Sequence, residues 1–259
     1  MNILFIGDIN GRPGRSAVKQ LLPDLVNEYN LDLVVANIEN ASAGNGLTVD
    51  NYEDLKKTGI DVFTSGNHIW DRKEAIPLLE NTKEPIMRPA NYPAGVPGKG
   101  FWDIRIKQQK VRIINLMGRV FIKEDLDDPF KKADEILNDS KYFLTIIDFH
   151  AETTSEKRAL GYYLDGKVGA VIGTHTHVPT ADAQILPKGT AYITDVGFVG
   201  PQESILGVTK EIVIDRFLTQ MPNSFETASG PVTEFNAVLM KADSEKIISI
   251  ELVRKIFEL

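Results

Sequence analysis

The chain has no cysteine, two tryptophans and four histidines in 259 residues. Without cysteine, disulfides, thiolate zinc sites, iron–sulfur clusters and cysteine nucleophiles are excluded. No apolar run is long enough for a membrane span, and the amino terminus Met1–Ile6 lacks the basic stretch of a secretory signal. The expectation is a cytoplasmic protein with no membrane partner. Positive charge is also short, with 29 Lys+Arg against 36 Asp+Glu and a net charge of −7. That balance disfavours extended nucleic acid as a partner but leaves room for a local positive site. The segment Gly7–Gly14 lacks the Gly-x-Gly-x-x-Gly spacing of dinucleotide-binding turns, and no Gly-x-Ser-x-Gly nucleophile elbow is present. What remains, 42% hydrophobic and 25% charged, is ordinary for a globular protein with an ample core. No repeat and no composition break divides it, so residues 1–259 read as one domain.

Short apolar runs alternate with helical patterns. Ile3–Ile6, Leu33–Ile38, Val62–Thr64, Phe143–Ile147, Ala170–Ile172 and Ala191–Thr194 read as strands, several of them without polar alternation, as expected for strands buried on both faces. Ser16–Tyr29 has apolar residues three and four apart, with Pro23 implying a kink or break. Thr48 reads as the N-cap of a helix ending before Gly59, while Arg72–Leu79, Pro129–Leu137 and Thr153–Tyr163 are weaker helices. This order predicts an α/β fold with a largely parallel sheet. Two hairpins interrupt it, Phe101–Ile106 with Val111–Leu116, and Phe235–Lys241 with Ile247–Val253 around Ala242–Lys246. They predict a second sheet packed on the first, and the exposed carboxyl-terminal hairpin allows a homo-oligomer. Pro85–Gly100 reads as a structured loop and Gln220–Glu234 as a mobile one.

His68, His150, His175 and His177 all fall just past the carboxyl ends of predicted strands, as do Asp8, Glu39, Asn40 and Asn67. In open α/β sheets that edge is where ligands bind. Two carboxylates, two carboxamides and three imidazoles form an oxygen and nitrogen donor set suited to Mn²⁺, Fe or Zn²⁺. Seven donors (Asp8, Glu39, Asn40, Asn67, His150, His175 and His177) exceed the need of one tetrahedral ion and suit two ions sharing a carboxylate. Gly7 and Gly66 are expected to let the backbone turn sharply before Asp8 and Asn67. His175 and His177 point the same way if the strand continues and diverge if it turns. Two divalent ions against two carboxylates and a hydroxide leave about +1 at the site, enough to attract a phosphate to an acidic protein. Asn10 reads as a loop residue near the site with substrate contact as an alternative, and Arg12 and Arg15 as solvent-facing or helix-capping side chains with phosphate contact as an alternative. Asp195 is a candidate for orienting a histidine, and Trp70 and Phe198 read as packing.

The ordered set Gly7-Asp8, Gly66-Asn67-His68, His150 and Gly173-Thr-His175-Thr-His177 resembles that of the calcineurin-like metallophosphoesterases. The local signatures Gly-Asp-Ile-Asn-Gly-Arg-Pro-Gly, Asn-Ile-Glu-Asn-Ala, Gly-Asn-His-Ile-Trp-Asp and Thr-His-Thr-His-Val-Pro-Thr-Ala-Asp resemble the YmdB family. The sequence departs from the wider superfamily at Asn10, where Asp-x-His is usual, and at Glu39, where the bridging residue is usually aspartate. The resemblance implies a two-sheet α/β/β/α sandwich, two iron or manganese ions with zinc as a third option, and hydrolysis of phosphodiesters including cyclic nucleotides. It further implies one ion held by Asp8, Glu39, Asn40 and His177, a second by Glu39, Asn67, His150 and His175, and His68 as proton donor. Two other readings share these residues: a phosphomonoesterase or protein phosphatase, and a metal-stabilised regulatory protein whose hydrolysis is vestigial.

Overall fold

A computed structural model of the chain describes residues 1–138, 142–244 and 246–259. In chain order the first half contains β1 (Asn2–Ile6), β2 (Asp8–Ile9), α1 (Gly11–Tyr29), β3 (Leu33–Asn37), α2 (Val49–Lys56), β4 (Val62–Thr64), a 3-10 turn at Asn67–Trp70, α3 (Ala75–Glu80), β5 (Phe101–Ile106) and β6 (Gln109–Met117). Then follow α4 (Pro129–Leu137), β7 (Leu144–His150), α5 (Thr154–Tyr163), β8 (Ala170–Thr174), β9 (Gln184–Ile185), β10 (Ala191–Ile193) and β11 (Phe198–Pro201). The last elements are α6 (Lys210–Thr219), β12 (Val232–Ala242) and β13 (Ile247–Glu258). One sheet has the order β2-β11-β12-β1-β3-β4 with β13 on β12, and the other has the order β5-β6-β7-β8-β10-β9.

Alternation along the strands sorts the side chains into three layers. Ile3 and Phe5 of β1, Leu33 and Val35 of β3, Val111 and Ile113 of β6, Leu144 and Ile146 of β7, and Ala170 and Ile172 of β8 meet between the two sheets. The intervening residues of the first sheet, Leu4, Ile6, Val34 and Ala36, pack with Val18, Leu22 and Leu25 of α1 and Leu55 of α2. Those of the second, Ile114, Leu116, Ile147 and Phe149, pack with Ala133 of α4 and Leu160 of α5. The result is the expected helix–sheet–sheet–helix sandwich. β1, β3 and β4 run parallel in one sheet, and β6, β7, β8 and β10 in the other.

Several boundaries differ from expectation for physical reasons. α1 starts at Gly11 rather than Ser16 and continues through Pro23, whose ring sits on the exposed face. β7 extends to His150 and β8 to Thr174, because parallel pairing of His150 with Thr174 and of Met117 with His150 carries the ladder through the polar residues. Both hairpins form, and the second is longer than expected; of its turn Ala242–Lys246, residue 245 lies outside the described residues. Pro85–Gly100 is structured, bridging Ile86 to Phe63 and Met87 to Lys99. The segment read as a mobile loop, Gln220–Glu234, is in part ordered: Val232–Glu234 belong to β12 and Thr227 bridges Val208. Among the described residues no helix is long and apolar enough to cross a membrane.

Candidate metal centre

The period-two pattern that builds the inter-sheet core also builds the site. Continuing the inward-facing positions of β3, β7 and β8 past their apolar residues gives Asn37, then Asp148 and His150, then Thr174, all with no exposed surface. Thr174 Oγ1 donates to Asp148 Oδ1 at 2.7 Å, and Asn37 Nδ2 donates to Asp148 Oδ2 at 3.1 Å. Having given its proton to Asp148, the Thr174 oxygen accepts from His150 Nδ1 at 2.9 Å. That places a proton on Nδ1 and turns Nε2 toward the sheet edge, the tautomer a metal-binding histidine needs.

At the edge His150 Nε2 lies 3.1 Å from Glu39 Oε1 and 2.9 Å from His175 Nδ1. Donor atoms of Glu39, His150 and His175 all fall within 4.8 Å of one another, the spacing of a cation site. Burial alone would lower the His150 pKa, but the charge and hydrogen bond of Glu39, with Asp8 beyond, raise it to about 9. Burial would raise Glu39, and the same His150 contact instead draws it down to about 2. His175 is held down at about 3 by burial and by the neighbouring His150 charge. One proton between three ligand atoms thus marks where positive charge is wanted.

Around this triad three buried oxygens, Asp8 Oδ1, Asn40 Oδ1 and Asn67 Oδ1, have no hydrogen-bond partner among the described residues. Each side chain is otherwise tied down or walled in: Asp8 Oδ2 accepts from the His175 N–H at 3.0 Å and Asn40 Nδ2 donates to Gly44 O at 2.9 Å. Burial pushes the Asp8 carboxyl well above the ordinary range. Orphaned buried oxygens are costly unless something binds them. An oxygen and nitrogen donor set with unused lone pairs fits hard or borderline cations.

His175 and His177 diverge, because the chain turns after Thr174 with φ of +99° and +63° at the two histidines. Such left-handed conformations are strained for residues other than glycine and need support. Asp195 supplies it, though not by orienting an imidazole: its Oδ2 accepts from the Thr176 N–H at 3.0 Å and from the buried Lys157 at 2.6 Å, and Lys157 also holds Thr174 O at 2.7 Å. His177 Nδ1 donates to Leu206 O at 3.0 Å while its ring stacks on Phe198 at 5.2 Å, leaving Nε2 free. Trp70 packs edge-on against Tyr92 as expected. Gly66 serves differently from the expected sharp turn. Its φ is −148°, and a Cβ there would lie 2.3 Å from His150 Nε2 and 2.4 Å from Glu39 Oε2. Gly7 likewise leaves room, since a Cβ there would lie 2.0 Å from Gly197 O.

His68 differs from the other three. It sits on the 3-10 turn, about a third exposed, with Nδ1 2.8 Å from Asp71 Oδ2. Only its backbone N–H reaches the cluster, donating to Glu39 Oε2 at 3.0 Å. A cavity of about 310 Å³ opens here, lined by Asn67, His68, Asp71, Phe121, Lys123 and His175. Phe121 is 86% exposed with φ of +60°, an aromatic face held at the lip.

Asn37, Asp148, Thr174, Lys157, Asp71 and Phe121 are thus added to the residues the sequence singled out. The first three had a signal, since they share strand parity with the inward apolar residues before them. Asp71 closed the Gly-Asn-His-Ile-Trp-Asp signature without a role of its own, and Lys157 and Phe121 had no signal.

The two-sheet sandwich is that of the calcineurin-like phosphoesterases: a solved calcineurin-like phosphoesterase from Bacillus subtilis matches 100% of this chain and 90% of its own at a TM-score of 0.56 and 12% identity, a likeness of fold. The family model described as YmdB-like protein matches residues 4–253, and the chain belongs to that family. The chain is 47% identical to a 2',3'-cyclic-nucleotide 2'-phosphodiesterase of Bacillus subtilis, over 98% of this chain and 96% of that protein. Two crystal structures are similar throughout. One, a hypothetical protein of Thermus thermophilus, has a TM-score of 0.95 and 45% identity over 99% of this chain and 100% of that one. The other, described as a novel phosphatase of Mycoplasma pneumoniae, has a TM-score of 0.94 and 38% identity over 100% and 94%.

Proposed function

We propose that the chain, acting as one unit, is a metal-dependent phosphodiesterase of small cyclic nucleotides with the 2',3'-cyclic linkage as substrate. The observation that carries this reading is the ring of partnerless buried oxygens on Asp8, Asn40 and Asn67 around the Glu39, His150 and His175 triad. The 47% identity to a phosphodiesterase of such nucleotides supports the substrate class. In this reading Asp8, Glu39, Asn40 and His177 hold one ion, and Glu39, Asn67, His150 and His175 hold the other. The donor set suits iron or manganese, with zinc compatible. Such ions, when bound, activate water and offset phosphate charge.

The chain's own residues do the rest. Thr174 and Asp148 fix the His150 tautomer, and the Leu206 carbonyl fixes that of His177. His68 gives a proton to the departing ribose oxygen, with Asp71 holding Nδ1 so that Nε2 is the acid. Phe121 offers its face to the base.

The test is hydrolysis by metal-reconstituted protein of adenosine 2',3'-cyclic phosphate, bis-p-nitrophenyl phosphate and p-nitrophenyl phosphate. Turnover of both diesters well above the monoester is expected, the cyclic nucleotide giving a single adenosine monophosphate isomer. Preference for the monoester makes it a phosphomonoesterase, and no turnover with metals bound makes it a binding protein.

A further inference from the structure

A second and larger cavity, about 680 Å³, is lined by residues next in sequence to the site, Ser42 and Arg72 among them. Arg12, Arg15 and Arg72 line it, together with Ser42, Asn51 and Thr227. None of the three guanidinium groups has a carboxylate ion-pair partner among the described residues. Arg15 donates to the Ala41 carbonyl, and Arg72 donates to the Asn45 and Ser42 carbonyls at 3.1 Å each. Arg12, exposed on the first turn of α1, makes no hydrogen bond among the described residues. The acidic groups nearby are Glu226, on the rim, and Asp54, whose charge reaches Arg15. In a chain of net charge −7, three unpaired guanidinium groups around one cavity mark a place for an anion. The first turns of α1 and α2 both reach this cavity, through Arg12 and Asn51, and α1 has neither a side-chain cap nor an acidic residue there. Their positive ends add to the arginines. Thr227 Oγ1, in the wall, is buried without a partner, as is Asn10 Oδ1 beside it.

Two residues of the cavity neighbour the metal centre along the chain. Ser42 follows Asn40 by two residues, at most about 7.6 Å from Cα to Cα. Arg72 follows Asp71, which holds His68 and also accepts from Asn45 Nδ2 at 3.2 Å. Ribose stereochemistry gives this placement a meaning. In a 2',3'-cyclic phosphate the base hangs on C1', next to C2', and the 5' carbon with its oxygen hangs on C4', next to C3'. With the cyclic phosphate at the metal centre, base and 5' substituent leave it on opposite sides. Phe121 and His68 line one cavity, which suits the base and the neighbouring 2' oxygen; the arginine cavity is a separate one that adjoins the same turn through Arg72.

We propose that the Arg12, Arg15 and Arg72 cavity is a subsite for a phosphate on the 5' oxygen of the nucleoside whose cyclic phosphate is cleaved. The preferred substrate is then the 3' end of a short ribonucleotide, or its 5'-phosphorylated terminal unit, rather than the bare cyclic nucleoside phosphate. This rests on the phosphodiesterase reading above. The experiment compares adenosine 2',3'-cyclic phosphate with and without a 5'-phosphate on the metal-loaded enzyme. A charge-assisted contact of this kind predicts kcat/KM at least about tenfold higher for the 5'-phosphorylated substrate, carried by KM. The ratio shrinks as salt is raised. Arg12→Glu, at an exposed position, brings the ratio down to one or below, through a raised KM for the 5'-phosphorylated substrate.

Equal kcat/KM on the two substrates, or a preference that survives Arg12→Glu, overturns the subsite. So does a cavity that binds inorganic phosphate without conferring any preference. If neither substrate turns over, the phosphodiesterase reading fails by itself. Calorimetric binding of adenosine 3',5'-bisphosphate against adenosine 3'-phosphate then decides the subsite: tighter binding of the bisphosphate, lost in Arg12→Glu, retains it, and equal binding removes it.

Discussion

One carboxylate touches two histidines that live in different media. Glu39 Oε1 meets the His150 ring at 3.1 Å, and Glu39 Oε2 takes the backbone N–H of His68 at 3.0 Å. His150 has no exposed surface and is fixed by Thr174 and Asp148 behind it. His68 stands in a cavity with its ring held, among the described residues, by Asp71. The same side chain is a fixed donor where the strand buries it and a free acid where a single turn exposes it. The Glu39 charge and hydrogen bond, with Asp8 beyond, raise the His150 pKa against the opposing effect of burial, and burial gives the ring its rigidity. Solvent access gives His68 the means to regain a proton after each turnover.

The sharpest way to break this contrast is to remove each ring. His150→Ala is expected to abolish metal uptake and to lower turnover on the order of 10³-fold. Leaving Glu39 buried without its partner also costs the metal-free protein about 3–5 kcal/mol of stability, read by denaturant unfolding. Metal analysis showing full occupancy in that variant would remove His150 from the centre. His68→Ala is expected to lose roughly 10²–10⁴ in kcat with metal content and melting temperature intact. Loss of metal there would make His68 a ligand and erase the division.

Smaller effects sharpen the picture behind the ligands. Thr174→Val cuts the link from His150 to Asp148, with metal affinity expected to fall about 10–100-fold in a competitive chelator titration. An unchanged affinity would mean that packing alone orients the ring. The least of the four effects concerns protons. In the metal-free protein His150 titrates near 9 and carries its proton at pH 7, whereas His175, near 3, does not. A cation on His150 Nε2 must expel that proton, so uptake at pH 7 releases about one proton and affinity rises with pH toward 9. Calorimetry in buffers of different ionisation enthalpy counts it, and a count of zero would show that His150 is neutral before the metal arrives.

Much of this architecture could be read along the chain. The strands β1, β3, β4, β8 and β10 and the helices α2, α4 and α5 follow from local pattern, since apolar runs and caps are short-range signals. Helix α6, whose outer residues Phe217 and Leu218 are 76% and 80% exposed, escaped because its apolar residues do not keep to one buried face. The two-residue strand β2 exists only through pairing with the distant β11, and β9 is too short for a local pattern and forms by pairing with the adjacent β10. Among site residues, Asp8, Glu39, Asn40, Asn67 and the four histidines stood out by chemistry and by place at strand ends. Lys157 and Asp71 did not, because a lysine and an aspartate on helical or turn segments are ordinary until the fold shows what they touch.

The order of residues thus determined which donors exist, that they are oxygen and nitrogen, and that they cluster at one edge of parallel strands. Strand parity is a local property, and it already assigned each side chain to a layer. The tertiary structure alone decided that His150 points its Nε2 at Glu39, that Gly66 is needed for space rather than for a turn, and that three arginines share one cavity. Those facts depend on distances between segments far apart in the chain, which only the packing of one sheet on the other sets.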